Sequence, residues 1–177
     1  MLPMSTGAGR VYWVTGLSGA GKSTLAGSLV AALRAHGRSV ILLDGDELRE
    51  ILDSQAGHGR EARLGLAMRY AKLCKVLSDQ GIDVAIATIS MFREIHAWNR
   101  RHLPNYVEIY LKVPLDELRR RDPKGIYRRA EAGGAQDVAG LDLAVDPPES
   151  PDILIEHREG STPDAVLATV LARLGIT

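Results

Sequence analysis

The chain has 177 residues, enough for one domain with a proper core and too few for much of a second. Its 22 Lys and Arg balance 22 Asp and Glu, so a formal charge of zero recommends neither nucleic acid nor a membrane surface as partner and leaves small molecules. The single cysteine, Cys74, excludes an intrachain disulfide and suits a reducing compartment; it shares a helical spacing with Tyr70 and Leu77, as expected of a buried packing thiol. Neither a signal peptide nor a run of bilayer-spanning length is visible, which predicts a cytoplasmic protein whose residues 1–9 are a flexible leader.

Val11–Thr15 is a short apolar run that predicts a strand. It enters Gly16-Leu17-Ser18-Gly19-Ala20-Gly21-Lys22-Ser23-Thr24, which fits the P-loop pattern G-x-x-x-x-G-K-[ST]. Apolar residues at Leu25, Leu29 and Leu33 then predict a helix. In that context backbone N–H groups curl toward phosphate oxygens, and the helix N-terminus adds partial positive charge. Residues 16–24 are therefore the expected contacts of ATP, with Lys22 reaching the β- and γ-phosphates and the Ser23 hydroxyl holding Mg²⁺. A glycine-rich turn that binds nothing is the plain alternative, and the flanking strand and helix weigh against it.

Ser39–Leu43 is a continuous apolar run, as in a parallel strand buried on both faces, and it ends in Asp44-Gly45-Asp46. Glu47–Leu52 reads as a short helix and Asp53–Gly59 as a loop. Arg60–Gln80 carries Leu66, Tyr70, Leu73 and Leu77 at helical spacing. Asp83–Thr88 predicts the third strand, Arg93–His102 a helix stopped before Pro104, and Val107–Val113 the fourth strand, with Pro114 suited to the first turn of the next helix. Asp122–Ser150, rich in Gly, Pro and charge with no sustained apolar period, is expected to be a mobile substrate lid. Asp152–Glu156 is the fifth strand and Pro163–Leu174 a closing helix.

Strands alternating with helices predict an α/β fold: three layers, a five-stranded parallel sheet with helices on both faces, and a lid at about 122–150. Residues 10–177 read as a single P-loop kinase domain. Ligands of such sheets bind beyond the carboxyl ends of the strands, where the P-loop, Asp44–Asp46 and Ser90–Arg93 fall. Two carboxylates there can divide two jobs, one on Mg²⁺ or its waters and one accepting a proton from an attacking hydroxyl, against the plain alternative of a solvated acidic turn.

With these residues in view the chain resembles the adenylylsulfate kinases, which phosphorylate adenosine 5′-phosphosulfate (APS) with ATP. The resemblance covers nearly everything after residue 9. It rests on the P-loop, on Leu43-Asp-Gly-Asp46 with Arg49, on Ile89-Ser90 with Phe92-Arg93, on Asp122-Pro-Lys-Gly-Ile-Tyr127, and on Gly140-Leu-Asp142 with Pro147-Pro-Glu-Ser-Pro151. It implies Asp46 as general base on the acceptor 3′-hydroxyl, Asp44 as metal partner and Ser90 near the transferred phosphate. It further implies Arg49, Arg63, Ile89, Phe92 and Arg93 on the acceptor, Lys124 neutralising phosphate charge from the lid, and a homodimer. For Arg49 and Lys124 the plain alternatives are a surface helix residue and a solvated loop charge.

The departures from the family pattern cluster on the acceptor side. Glu47 replaces its Asn after Asp-Gly-Asp, His58 its stacking Phe, Leu66 a later Asn, and Met91 a Pro. In the lid Val138 stands for its second aromatic and Gln136 for a lysine. Stacking on an aromatic face contributes about 1–3 kcal/mol per base, so losing both faces costs roughly a hundredfold in affinity for adenine. APS is thus one expected acceptor and a non-adenine nucleotide, such as the cytidine diphosphoramidate used in surface-polysaccharide synthesis, the other. His58 stacks more weakly, while Phe92 or Trp98 offers a new platform; a core position beside Ile95 is the preferred reading of Trp98. His96 and His102 lack metal-ligand spacing and read as surface residues. A non-catalytic nucleotide-binding subunit has no use for Lys22, Ser23, Asp44 and Asp46 together. A kinase for gluconate, shikimate or an antibiotic fits poorly with the run from Asp122 to Tyr127.

Overall fold

The computed structural model describes residues 7–52, 57 and 59–176. Five strands, β1 Val11–Thr15, β2 Val40–Asp44, β3 Asp83–Ala87, β4 Tyr106–Lys112 and β5 Ile153–Glu156, form one parallel sheet in the order β2-β3-β1-β4-β5. Among the described residues the helices are α1 Lys22–Ala35, α2 Gly45–Leu52, α3 Arg60–Asp79, α4 Arg93–His102, α5 Leu115–Arg121, α6 Ile126–Glu131 and α7 Pro163–Leu174.

The alternation of side chains along a strand divides the core in two. Tyr12, Val14, Ala85, Ile109 and Ile153 point to the side covered by α1, with Leu25, Leu29 and Leu33, and by α7 with Val170. Val11, Trp13, Val84 and Ile86 point to the other side, where Leu66, Tyr70 and Cys74 of α3 and Ile95 of α4 meet them. Burial pushes the Cys74 thiol up to about 12, consistent with an inert packing group.

β1 is central and every residue of it is buried, so the loop that follows emerges at the middle of the sheet's carboxyl edge. Gly16 begins that loop at φ 152, and a Cβ there would lie 2.7 Å from the Leu111 carbonyl oxygen of the neighbouring strand, so this position needs glycine. Pro114 sits one residue before α5, as its N-cap.

Three expectations need correcting. The second strand is not buried on both faces: β2 is an edge of the sheet, and its Leu42 is 41% exposed. The stretch 122–150 is not wholly irregular. Asp122 accepts the backbone N–H groups of Tyr127 at 3.2 Å and Arg128 at 3.0 Å and so starts the six-residue α6, too short to leave an apolar period. Further on, Ala139 bridges Leu143, and both are buried with Val138. His96 is not a surface residue either. Its Nδ1 lies 2.7 Å from Glu108 Oε1 and its Nε2 3.0 Å from the Asp146 carbonyl oxygen. Glu108, 2% exposed inside β4, also takes the Tyr106 hydroxyl at 2.9 Å and Arg100 at 3.2 Å. The charge requirement of that buried carboxylate is what draws His96 inward. His102 is exposed and stacks on Trp98 with ring centroids 4.5 Å apart.

Candidate active site

A cleft of about 550 Å³ opens at the carboxyl edge of the sheet. One wall is the P-loop, with Ser18, Gly19, Gly21, Lys22, Ser23 and Thr24. Gly16, Leu17 and Ala20 stand behind that wall. The Lys22 ammonium donates to the Leu17 carbonyl at 2.9 Å, which curls the side chain back over its own loop. Burial lowers the Lys22 pKa to about 8, against the opposing pull of Asp46 and Asp44 and with the help of Lys124. A polyphosphate would restore the charged form by Coulomb attraction.

The opposite side carries the carboxylates. Asp44 ends β2 and Asp46 opens α2, so the strand-to-helix junction puts both into the cleft. Ser23 Oγ donates to Asp44 Oδ2 at 2.5 Å, and the Asp46 N–H donates to Asp44 Oδ1 at 2.9 Å. A hydroxyl and a carboxylate converging at the phosphate end are hard oxygen donors of the kind Mg²⁺ takes while keeping waters and phosphate oxygens as its other ligands. Among the described residues no group of three or more His, Cys, Asp or Glu could hold a metal without such help. Asp46 Oδ2 pairs with the Lys124 ammonium of the lid.

The lid is tied down at both ends. The Tyr127 hydroxyl donates to the Ser18 carbonyl at 2.8 Å, joining α6 to the P-loop. Asp142 accepts the N–H groups of Asp137 at 2.8 Å and Val138 at 2.6 Å, and Arg63 of α3 donates to the Asp137 carbonyl at 2.8 Å. These bonds hold Val138 against the cleft. Burial, with Arg49 nearby, lowers the Arg63 pKa below the usual guanidinium value.

Of the residues expected on the acceptor, Arg49, Arg63, Ile89, Ser90, Phe92, Lys124 and Val138 line the cleft. Arg93 does not. It is exposed at the start of α4, and its backbone N–H donates to Asp146 Oδ2 at 3.2 Å. His58 lies outside the described residues. Trp98 packs against the core and is not on the cleft wall, which leaves Phe92 and Tyr70 as the aromatic side chains on it; the Arg60 guanidinium covers the Phe92 ring at 5.3 Å from the centroid.

Three features escaped the sequence. Tyr70 reaches the cleft from α3 and donates to the Gly45 carbonyl at 2.8 Å. Thr88 Oγ1 lies 2.6 Å from Ser90 Oγ, and Ser90 takes a φ of 30°. Behind the P-loop a second cleft of about 230 Å³ is walled by Thr24, Arg121, His157 and Thr162 among others, suited in position to the base end of a nucleotide whose phosphates lie along the loop. Only Tyr70 had left a trace in the sequence, as an apolar-face residue of the helix.

The model of the family described as adenylylsulphate kinase matches residues 8–156. The chain belongs to this family. Kinase chemistry, phosphoryl transfer to a hydroxyl, comes with that membership. The chain is 44% identical over 147 residues to the cytidine diphosphoramidate kinase of Campylobacter jejuni, covering 83% of this chain and 85% of that one. It is 37% identical over 166 residues to the adenylyl-sulfate kinase of Pseudomonas aeruginosa, covering 93% and 84%. The structure of the Mycobacterium tuberculosis APS kinase in complex with AMPPNP and APS superposes with a TM-score of 0.87 at 31% identity, over 96% of this chain and 99% of that one. The family's fold and its P-loop end are thus this chain's own, whereas relatives at similar distance carry names for different acceptors.

Proposed function

We propose that this chain is an ATP- and Mg²⁺-dependent kinase that phosphorylates a ribose hydroxyl of an activated nucleotide, with cytidine diphosphoramidate as the preferred acceptor. The observation that carries the kinase reading is the single cleft shared by Lys22, Ser23, Asp44 and Asp46, closed by a lid lysine. Phosphoryl transfer asks little covalent chemistry of a protein and much positioning, and these groups are what positioning requires.

In this reading the P-loop and Lys22 hold the β- and γ-phosphates, and Ser23 with Asp44 would hold Mg²⁺. The ion supplies charge neutralisation between the phosphates. Asp46 accepts the proton of the attacking hydroxyl and aligns its oxygen with the γ-phosphorus. For that, Lys124 must release the Asp46 carboxylate, and a phosphate-rich ligand offers the ammonium another partner. Arg49 and Arg63 bind the acceptor's phosphates from α2 and α3, and Phe92 and Val138 flank its base.

The choice of acceptor rests on Val138. An aliphatic side chain, 7% exposed, stands where an adenine clamp needs a second ring, and it leaves Phe92 and Tyr70 as the aromatic side chains among the described residues of the cleft, with the Tyr70 hydroxyl already engaged by Gly45. A smaller pyrimidine depends less on two-sided stacking. The 44% identity to an enzyme named for cytidine diphosphoramidate supports the same choice. APS is the second reading, favoured by the close superposition on a kinase holding APS. Label transfer from γ-labelled ATP to each acceptor, with the labelled position read by mass spectrometry, tests the proposal. Transfer to a ribose hydroxyl of the cytidine compound is expected, and no transfer to any nucleotide acceptor overturns the kinase reading.

A further inference from the structure

The turn Asp44-Gly45-Asp46 carries both carboxylates of the site, and the peptide plane between Gly45 and Asp46 decides where the second one stands. Both polar groups of that plane are engaged. Its N–H donates to Asp44 Oδ1 at 2.9 Å, and its carbonyl accepts the Tyr70 hydroxyl at 2.8 Å. The Gly45 Cα backs onto the end of β3 so closely that a Cβ would lie 3.0 Å from both the Ala87 carbonyl oxygen and Thr88 Oγ1. The peptide, the first of α2, is thus held by Asp44 from β2 and by Tyr70 from α3, and β3 leaves no room at Gly45 for a side chain. Tyr70 is the hold supplied by a side chain from a separate helix.

Tyr70 is 3% exposed, and its ring belongs to the core beneath the cleft with Leu66, Ala67 and Phe92. Packing alone accounts for a ring here but not for a phenol. A buried hydroxyl costs free energy unless it is hydrogen-bonded, and the partner of this one is the carbonyl between the two carboxylates. Burial pushes the phenol up to about 12, with Arg49 pulling down and Asp46 and Asp44 pushing up, so it remains a donor throughout the neutral range.

We propose that Tyr70 is a positioning residue for phosphoryl transfer: its hydroxyl, by holding the Gly45–Asp46 peptide, sets the stance of the Asp46 carboxylate toward the acceptor hydroxyl. The inference deepens the proposed function and rests on Asp46 serving as the base. The Tyr70 hydroxyl is engaged by the Gly45 carbonyl, so it acts through that peptide and not on the reacting atoms. Removing this hydroxyl leaves the peptide held by α2 and Asp44 alone and lets Asp46 drift by a fraction of an ångström to about an ångström, which costs rate rather than donor binding.

The test is Tyr70→Phe, which keeps the ring and the core. With saturating Mg-ATP and the best acceptor, kcat is expected to fall about tenfold while the KM for ATP stays within about twofold. An unchanged kcat, or a loss carried by the KM for ATP, overturns the inference. Amide exchange of Asp46, followed by NMR, reads the same restraint without turnover. Exchange about tenfold faster in Tyr70→Phe supports the inference, and an unchanged rate overturns it. Should the parent protein transfer phosphate to no nucleotide, the kinase reading fails, and the exchange measurement alone decides whether Tyr70 holds the turn.

Discussion

At the donor end of the cleft the wall comes from one segment, Ser18, Gly19 and residues 21–24, running from the loop into the first turn of α1. At the acceptor end it is assembled from separate pieces: Arg49 on α2, Arg63, Leu66 and Tyr70 on α3, Phe92 after β3 and Val138 in the lid. A phosphate site built from a contiguous loop has one solution, since glycines, a lysine and a hydroxyl at fixed spacing are all it needs. A base and phosphate site built from side chains on four segments can be re-aimed one residue at a time, with the transfer machinery left intact. Of the residues read as departures from the family pattern, Leu66, Met91, Gln136 and Val138 line the cleft, and none of them belongs to the P-loop.

Breaking the donor end should have the largest effect. Lys22→Ala is expected to lower kcat/KM for any acceptor by about a thousandfold, measured as ADP release at fixed Mg-ATP. The loss should be the same for pyrimidine and adenine acceptors, because Lys22 faces only the phosphates. Asp46→Asn stands at the junction of the two ends. It should reduce kcat by about a hundredfold or more, with ATP affinity by calorimetry nearly unchanged. A variant with full turnover would remove Asp46 from the role of base.

The next effect is on stability. His96→Ala leaves Glu108 with Tyr106 and Arg100 but without its imidazole partner, at a cost of about 2–3 kcal/mol or about 5–10 °C in Tm. Burial works against the charged imidazole, but the bond to Glu108, its charge and Asp146 outweigh it, and His96 is raised above its ordinary value of 6.5. A raised folded-state pKa gives stability that is full below 6.5 and fades as pH rises through the folded value. The Tm gap between parent and variant should therefore be wider at pH 6 than at pH 8.5, and a gap that widens with pH would contradict the pairing. The smallest effect sharpens the acceptor end. Val138→Phe restores a second ring and should shift the ratio of kcat/KM toward APS by about tenfold, with the KM for ATP unmoved.

The same contrast explains what could be read from the chain beforehand. The P-loop, the Asp-Gly-Asp turn and the sheet were legible because each lies in a short stretch whose spacing carries its physics. α6 was hidden because the carboxylate that takes N–H groups of its first turn, Asp122, lies four residues upstream, in a segment whose Pro and Gly look like coil. The inward turn of His96 depends on Glu108, a charge inside a strand, and on a carbonyl 50 residues further on, neither of which helical spacing reveals. For Tyr70 the pattern foretold burial correctly, yet its phenol's partner, 25 residues away in another element, required the fold. Arg93 adjoins Ser90 and Phe92 in the sequence but is exposed at the start of α4 and stays off the cleft wall, which its neighbours' spacing does not reveal.

The most direct test of an intact donor end joined to a re-aimed acceptor end is kcat/KM for cytidine diphosphoramidate and for APS, measured side by side with saturating Mg-ATP. The expected result is a preference of about tenfold or more for the cytidine compound. Equal or faster turnover of APS would contradict it and would mean that Phe92, with Val138 opposite, suffices to hold adenine.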